Sequence, residues 1–158
     1  MGLTREPLHF TAGHVARVLQ VAKPVAHDLP AIAIKEGEFV MPFGTPGGDL
    51  QTQAMLQFLV NLSVFGMEIQ RAVEMPRFYS YSFPDSFSPH SYFPGKLRLE
   101  KPIGEATAAA LDALGHKTEW WPDDEWPRTG INAIRADTAS GTLHGAADHR
   151  RTCYAVGW

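Results

Sequence analysis

Residues 31–50 read Ala31-Ile32-Ala33-Ile34-Lys35-Glu36-Gly37-Glu38-Phe39-Val40-Met41-Pro42-Phe43-Gly44-Thr45-Pro46-Gly47-Gly48-Asp49-Leu50. Ala31 to Ile34 is a β-type run, Glu36-Gly37 is a turn pair, and Phe39 to Phe43 returns, which predicts a hairpin. Both arms are nearly continuous in apolar residues, so the strands are expected to be covered on both faces. The glycine-rich loop Gly44 to Asp49 then runs into a predicted helix over Leu50 to Phe65, with Asp49 placed to cap its start and Gly66 to end it. In that helix Gln53, Gln57 and Asn61 lie four apart in one thin polar stripe. Met55, Leu56, Phe58, Leu59, Val60 and Leu62 fill the rest, the pattern of a buried helix.

Working outward, Met1 to Pro30 carries little pattern. Residues 13–19 can form a short helical turn, and Pro7, Pro24 and Pro30 break any long element. On the other side, Glu68 to Glu74 predicts a short helix stopped by Pro76. Phe78 to Gly95 is rich in Ser, Pro, Phe and Tyr and reads as a long surface segment. Lys96 to Glu100 alternates as a strand with one wet face. Glu105 to Leu114 is a helix ended by Gly115, and His116 to Trp121 reads as a strand. Ile131 to Ala136 and Thr142 to Ala146 flank a turn and form a second hairpin. Strands and helices interleave without a repeat or a boundary, so residues 1–158 read as a single domain of α+β class, a sheet with helices packed on it.

Composition narrows the function classes. The chain has 158 residues, 44% of them hydrophobic and 20% charged, which excludes a disordered chain. A net charge of −3 argues against a general nucleic-acid binder. A single cysteine, Cys153, excludes an internal disulfide framework and a multi-cysteine zinc site. No signal peptide opens the sequence and no apolar run is long enough for a membrane helix; Ala54 to Met67 is interrupted by Gln57, Asn61 and Ser63. The residues are expected to be soluble, and cytoplasmic unless a leader was removed upstream. None of the seven histidines forms a metal-type pair on one helix face, and no cofactor is implied.

The loop Gly44 to Asp49 carries the chemistry. Two consecutive glycines leave backbone N–H groups open to close approach, at the place where a helix N-terminus adds positive partial charge. Such a nest can hold an anion or a developing oxyanion. The same residues also serve as a plain strand-to-helix turn that needs positive φ. A phosphate loop is excluded because the Gly-Lys-Ser/Thr ending is absent.

These residues resemble the small subunit of γ-glutamyltransferases, which are N-terminal nucleophile hydrolases. The resemblance is carried by Leu29-Pro30-Ala31-Ile32, the Gly47-Gly48 loop, Gln53 to Asn61, Phe65-Gly66-Met67 and Ala72-Val73-Glu74-Met75-Pro76-Arg77-Phe78. It continues through Leu97-Arg98-Leu99-Glu100 and Leu111 to His116, and ends in Gly141-Thr142-Leu143-His144-Gly145-Ala146-Ala147-Asp148. It is collinear from about Phe10 to Trp158. It implies part of an αββα sandwich built from a large and a small subunit after self-cleavage of a precursor. A threonine at the new N-terminus attacks an amide carbonyl, its own α-amine serves as base, and the acyl group passes to water or an amine. By resemblance, Gly47 and Gly48 supply the oxyanion hole.

The chain also departs from the pattern. The family's nucleophile precedes the region matched by Phe10, and no threonine here stands in the expected setting; Thr4, followed by Arg5-Glu6, is the one near-terminal threonine. The acidic residue that binds the substrate amino group aligns with His9, and the serine pair that binds the α-carboxylate aligns with Ala26 and His27. The substrate-binding positions His9, Ala26 and His27 are therefore changed in type. Gly47-Gly48-Asp49-Leu50-Gln51 is closer to the acylase and amidohydrolase branches, which points to a neutral or differently charged acyl group.

The expectation is a γ-glutamyltransferase-like amide hydrolase or acyl transferase chain, for passing a γ-glutamyl or related acyl group to water or an amine, that supplies the oxyanion loop, lacks the nucleophile and is inactive alone. Its partner would be a large subunit or an upstream segment. The alternative is a stand-alone remnant that binds or assembles without catalysis, and a third reading is a small-anion binder at Gly47 and Gly48. Sheet edges and apolar surface left open by missing layers would favour self-association. Asp148 and Arg150 read as a structural ion pair, and Cys153 lacks an activating neighbourhood. His27-Asp28 reads as a solvated loop pair and His116 as structural. The acidic-aromatic run Trp120 to Trp126 fits either a ligand loop or an aromatic cover.

Overall fold

The computed structural model describes residues 28–122 and 129–156. The expected hairpin is present and longer than its apolar core: β1 spans Asp28–Lys35 and β2 spans Phe39–Pro46. Gly37, at φ 73°, makes the turn between them. A 3-10 turn at Gly48–Leu50 leads into α1 (Gln51–Ser63), followed by α2 (Ile69–Glu74) and β3 (Phe78–Ser80). Then come β4 (Lys96–Leu99), α3 (Glu105–Ala113), β5 (Lys117–Trp120), β6 (Asn132–Asp137) and β7 (Leu143–Ala147).

Where one sheet was expected, the described residues form two. Strands β1-β2-β6-β7 make an antiparallel sheet in that order. The smaller sheet is β3-β4-β5; β3 is antiparallel to β4, while β5 returns parallel to it after α3. A parallel neighbour requires such a crossover, which explains the helix between them.

The main core lies between the four-stranded sheet and α1 and α2. Ala31, Ala33, Met41, Phe43, Ala133 and Ala146 from the strands cluster with Ala54, Met55, Phe58, Ile69, Ala72 and Val73 from the helices. The Phe43 and Phe58 rings meet with centroids 5.4 Å apart. Leu97, Leu99 and Ala108 form a second cluster under α3.

Three expectations change. The hairpin is covered on one face only: alternate residues Ile32, Ile34 and Val40, together with Ile134 and Leu143, are exposed. A trough of about 900 Å³ runs over this open face, lined by Pro42, Ile134 and Leu143 among others. The alternation is the ordinary period of a strand, masked in the sequence because both faces are apolar. Helix α1 is likewise buried along one side, through Gln51, Ala54, Met55 and Phe58, while Leu56 is exposed. Finally, Asp49 makes no cap for α1; the helix is entered through the 3-10 turn, with no side-chain cap at Leu50.

The polar stripe of α1 has a defined task. The Gln53 amide donates to the Ser80 carbonyl (3.0 Å) and accepts from the Ser80 N–H (2.8 Å). The Gln57 amide does the same for Phe78, at 2.8 and 3.1 Å. The two glutamines therefore act as a surrogate strand along β3, while Asn61 donates to the Ala72 carbonyl of α2. At the start of α2, Glu68 caps the N–H groups of Gln70 and Arg71.

No helix among the described residues is long and apolar enough to cross a membrane.

Candidate active site

The loop after β2 is built around two glycines that no other residue replaces without strain. Gly47 stands at φ 136° and Gly48 at φ 58°. A Cβ on Gly48 would lie 3.2 Å from the Phe87 ring. The loop closes on itself, with the Leu50 N–H donating to the Gly47 carbonyl (3.3 Å) and the Gln51 N–H to the Gly48 carbonyl. Among the described residues no backbone or side-chain acceptor takes the N–H of Gly47 or Gly48. Both glycines line a cavity of about 280 Å³, whose other walls include Tyr81, Phe87, Lys96 and Arg98.

That cavity is walled by the segment between β3 and β4, which the sequence marked only as sticky surface. Asp49 accepts a hydrogen bond from the Ser86 N–H (2.6 Å), tying this segment to the glycine loop. Phe93 N–H donates to the Tyr81 carbonyl and Gly95 N–H to Ser82 Oγ. Lys96 and Arg98 project from β4, with Glu119 of β5 at 2.7 and 3.6 Å. The Lys96 hydrogen bond and charge, aided by Arg98, hold the Glu119 carboxyl below the usual range. Arg98 also lies over the Tyr81 and Trp121 rings.

A buried polar framework supports the loop from below. Thr45 Oγ1 accepts from the Gly130 N–H (2.7 Å) and donates to the Pro46 carbonyl (2.8 Å). Next to Gly130, Thr129 Oγ1 meets Arg77 (3.1 Å) and the Tyr79 hydroxyl (2.6 Å). Burial pushes the Tyr79 phenol up from its ordinary value. Arg77 pairs with Asp148 (2.6 Å), Asp148 with Arg150 (3.1 Å), and Arg150 with Glu100 (2.6 Å). Asp148 also accepts the Ile131 N–H. Burial raises the Asp148 carboxyl, but Arg77 and Arg150 outweigh it and hold the group below the usual aspartate range. The expected ion pair of Asp148 and Arg150 is thus present, inside a four-member network. Its other members, Arg77 and Glu100, belong to runs quoted above for their resemblance or their strand alternation; no local spacing marks them as partners.

Of the other expected site residues, His9, Ala26 and His27 lie outside the described residues, as does Thr4. Cys153 accepts a hydrogen bond from Asn132 (3.4 Å), Trp121 is buried against Tyr79, and residues 123–126 of the acidic-aromatic run lie outside the described ones. No group of three or more metal-ligating side chains comes together among the described residues.

The mixed α+β body, with its glycine loop at a strand-to-helix turn, shares its fold with solved γ-glutamyltranspeptidase and transpeptidase structures. The γ-glutamyltranspeptidase family model matches residues 9–158, and the chain belongs to that family. It is 38% identical over 139 residues to the acylase ACY 1 proenzyme of Pseudomonas sp. (strain SE83), covering 85% of this chain and 22% of the relative. To the glutathione hydrolase proenzyme of Bacillus subtilis (strain 168) it is 30% identical over 135 residues, covering 85% of this chain and 21% of the relative. The γ-glutamyltranspeptidase of Pseudomonas nitroreducens, solved with L-DON, superposes with a TM-score of 0.64 at 24% identity, covering 86% of this chain and 65% of that one. The chain therefore spans about a fifth of the length of these curated relatives.

Proposed function

We propose that these 158 residues form the single-domain oxyanion-loop portion of an amide hydrolase or acyl transferase. The observation that carries this reading is the pair of N–H groups at Gly47 and Gly48, which meet no acceptor among the described residues, in a loop that lines a cavity. Attack on an amide carbonyl develops negative charge on its oxygen, and fixed backbone donors stabilise that charge without reorganising. The nucleophile is supplied by polypeptide outside this chain; matching only about a fifth of each relative supports this. The open apolar face of the four-stranded sheet, with Ile34 63% and Leu143 69% exposed, is where the remaining layers of an αββα sandwich, from a large subunit or upstream segment, would pack.

The acyl group is proposed to differ from γ-glutamyl. The types at His9, Ala26 and His27, the Gly47-Gly48-Asp49 form and the identity to an acylase proenzyme all favour this. The test is to offer γ-glutamyl and uncharged acyl anilides to the chain alone and to the chain joined to its nucleophile-bearing portion. The joined protein should turn over an acyl anilide and the chain alone should not. Turnover by the chain alone that survives Thr4→Ala would overturn the assignment of the nucleophile.

A further inference from the structure

We infer that Thr45 is a positioning residue that aims the Gly47 N–H at the reacting carbonyl oxygen; this rests on the oxyanion reading of the glycine loop. A peptide unit is planar, and in the trans form its C=O and N–H point in opposite directions. Among the described residues the one cis bond is Ser88–Pro89, so the Pro46–Gly47 unit is trans. Whatever holds the Pro46 carbonyl therefore sets the direction of the Gly47 N–H. That holder is the Thr45 hydroxyl, which donates to the Pro46 oxygen at 2.8 Å.

The hydroxyl is itself oriented. It accepts the Gly130 N–H at 2.7 Å, which commits its own proton to Pro46. Thr45 is 3% exposed, so water does not compete for these bonds. Behind Gly130 stand Thr129, Arg77 and Tyr79, all buried and bonded to one another. The second donor is fixed in the same manner, since the Leu50 N–H holds the Gly47 carbonyl, which shares a peptide plane with the Gly48 N–H. Both donors are thus locked through the carbonyl on the far side of their own peptide, one by the turn and one by a side chain. At φ 136° Gly47 has no side chain to restrict its rotation, so the lock has to come from outside the residue.

The experiment compares Thr45→Val, which keeps the shape and removes the hydroxyl, with Thr45→Ser, which keeps the hydroxyl. Both are made in the protein joined to its nucleophile-bearing portion and assayed on an acyl anilide. A donor that acts in the transition state affects kcat and leaves KM in place. Thr45→Val should lower kcat by about 10²-fold with KM within about twofold, and Thr45→Ser should restore kcat to within about threefold. A Thr45→Val enzyme with unchanged kcat, or a serine variant as slow as the valine one, would overturn the inference. A second measurement needs neither turnover nor a folded valine variant. In the unsubstituted chain, deuterating the Thr45 hydroxyl should displace the carbonyl ¹³C resonance of Pro46 beyond the displacement caused by deuterating the Gly47 amide alone, and no further displacement contradicts the geometry. Absence of turnover from the unsubstituted joined protein counts against the acyl-transfer reading, while the isotope measurement still decides the role of Thr45.

Discussion

Gly48 stands at φ 58°, a conformation that costs a residue with a Cβ about 1–2 kcal/mol. The Phe87 ring, 3.2 Å from where that Cβ would sit, has to give way as well. Gly48→Ala is therefore expected to lower Tm by a few degrees without unfolding the protein, as calorimetry would show. Asp148 is a harsher case. Its side chain is fully buried between Arg77 and Arg150, so Asp148→Asn leaves the buried Arg77 guanidinium without its counter-charge and Arg150 with Glu100 alone, at about 3–5 kcal/mol. The pH dependence follows from the depressed carboxyl. In the unfolded chain it titrates at about 3.9. The stabilisation it gives is complete above that value and is lost as pH falls through its lower folded value. Denaturant titrations should show a decline below about pH 4 that is shallower in Asp148→Asn. An equally steep decline in the variant would assign the acid sensitivity elsewhere.

At the scale of elements, the link between α1 and β3 is made by side-chain amides. Each of Gln53 and Gln57 satisfies one N–H and one C=O of the strand. Replacing Gln53 by Ala exposes two backbone groups of Ser80, at about 1 kcal/mol per bond. It should speed amide exchange at Ser80 more than at Leu99 of the neighbouring β4; equal acceleration at both would mean the glutamine does not hold β3. The sequence made the two hairpins, α1 and α3 readable because turn glycines and apolar period mark them locally. The thin stripe of Gln53, Gln57 and Asn61 was visible too, but its partners lie 11 to 27 residues away, and no period encodes them. The same limit hid the network of Arg77, Glu100, Asp148 and Arg150. Asp49 misled for a different reason: its carboxylate reaches Ser86 across the loop instead of the helix start. The split into two sheets was hidden because a three-residue β3 gives almost no pattern.

For the whole molecule, the open face of the β1-β2-β6-β7 sheet decides how the chain behaves by itself. Runs that looked buried on both sides are covered on one, so Ile32, Ile34, Ile134 and Leu143 meet solvent. An apolar sheet face of this kind favours association. Without the rest of its family's architecture, the chain is expected to self-associate through it, and the pair Ile34→Lys with Ile134→Lys should shift sedimentation toward monomer. A stable monomer of the unsubstituted chain at high concentration would argue against this. The glycine loop was readable as a candidate because Gly47-Gly48 falls between a predicted strand and a predicted helix, where two glycines leave backbone N–H groups open to close approach. Its wall at Phe87 and its support at Thr45 were not readable, since both depend on contacts that form only when the sheets and α1 come together. Under the proposed function, those two N–H groups act on the reacting carbonyl. The direct measurement is pre-steady-state hydrolysis of an acyl anilide by the joined protein, with and without a backbone ester in place of the Gly47–Gly48 amide, which removes the Gly48 N–H. Acyl-enzyme should form in the unsubstituted protein, slowed about 10²–10³-fold by the ester while the variant stays folded. Acylation at an unchanged rate in the folded variant would contradict it.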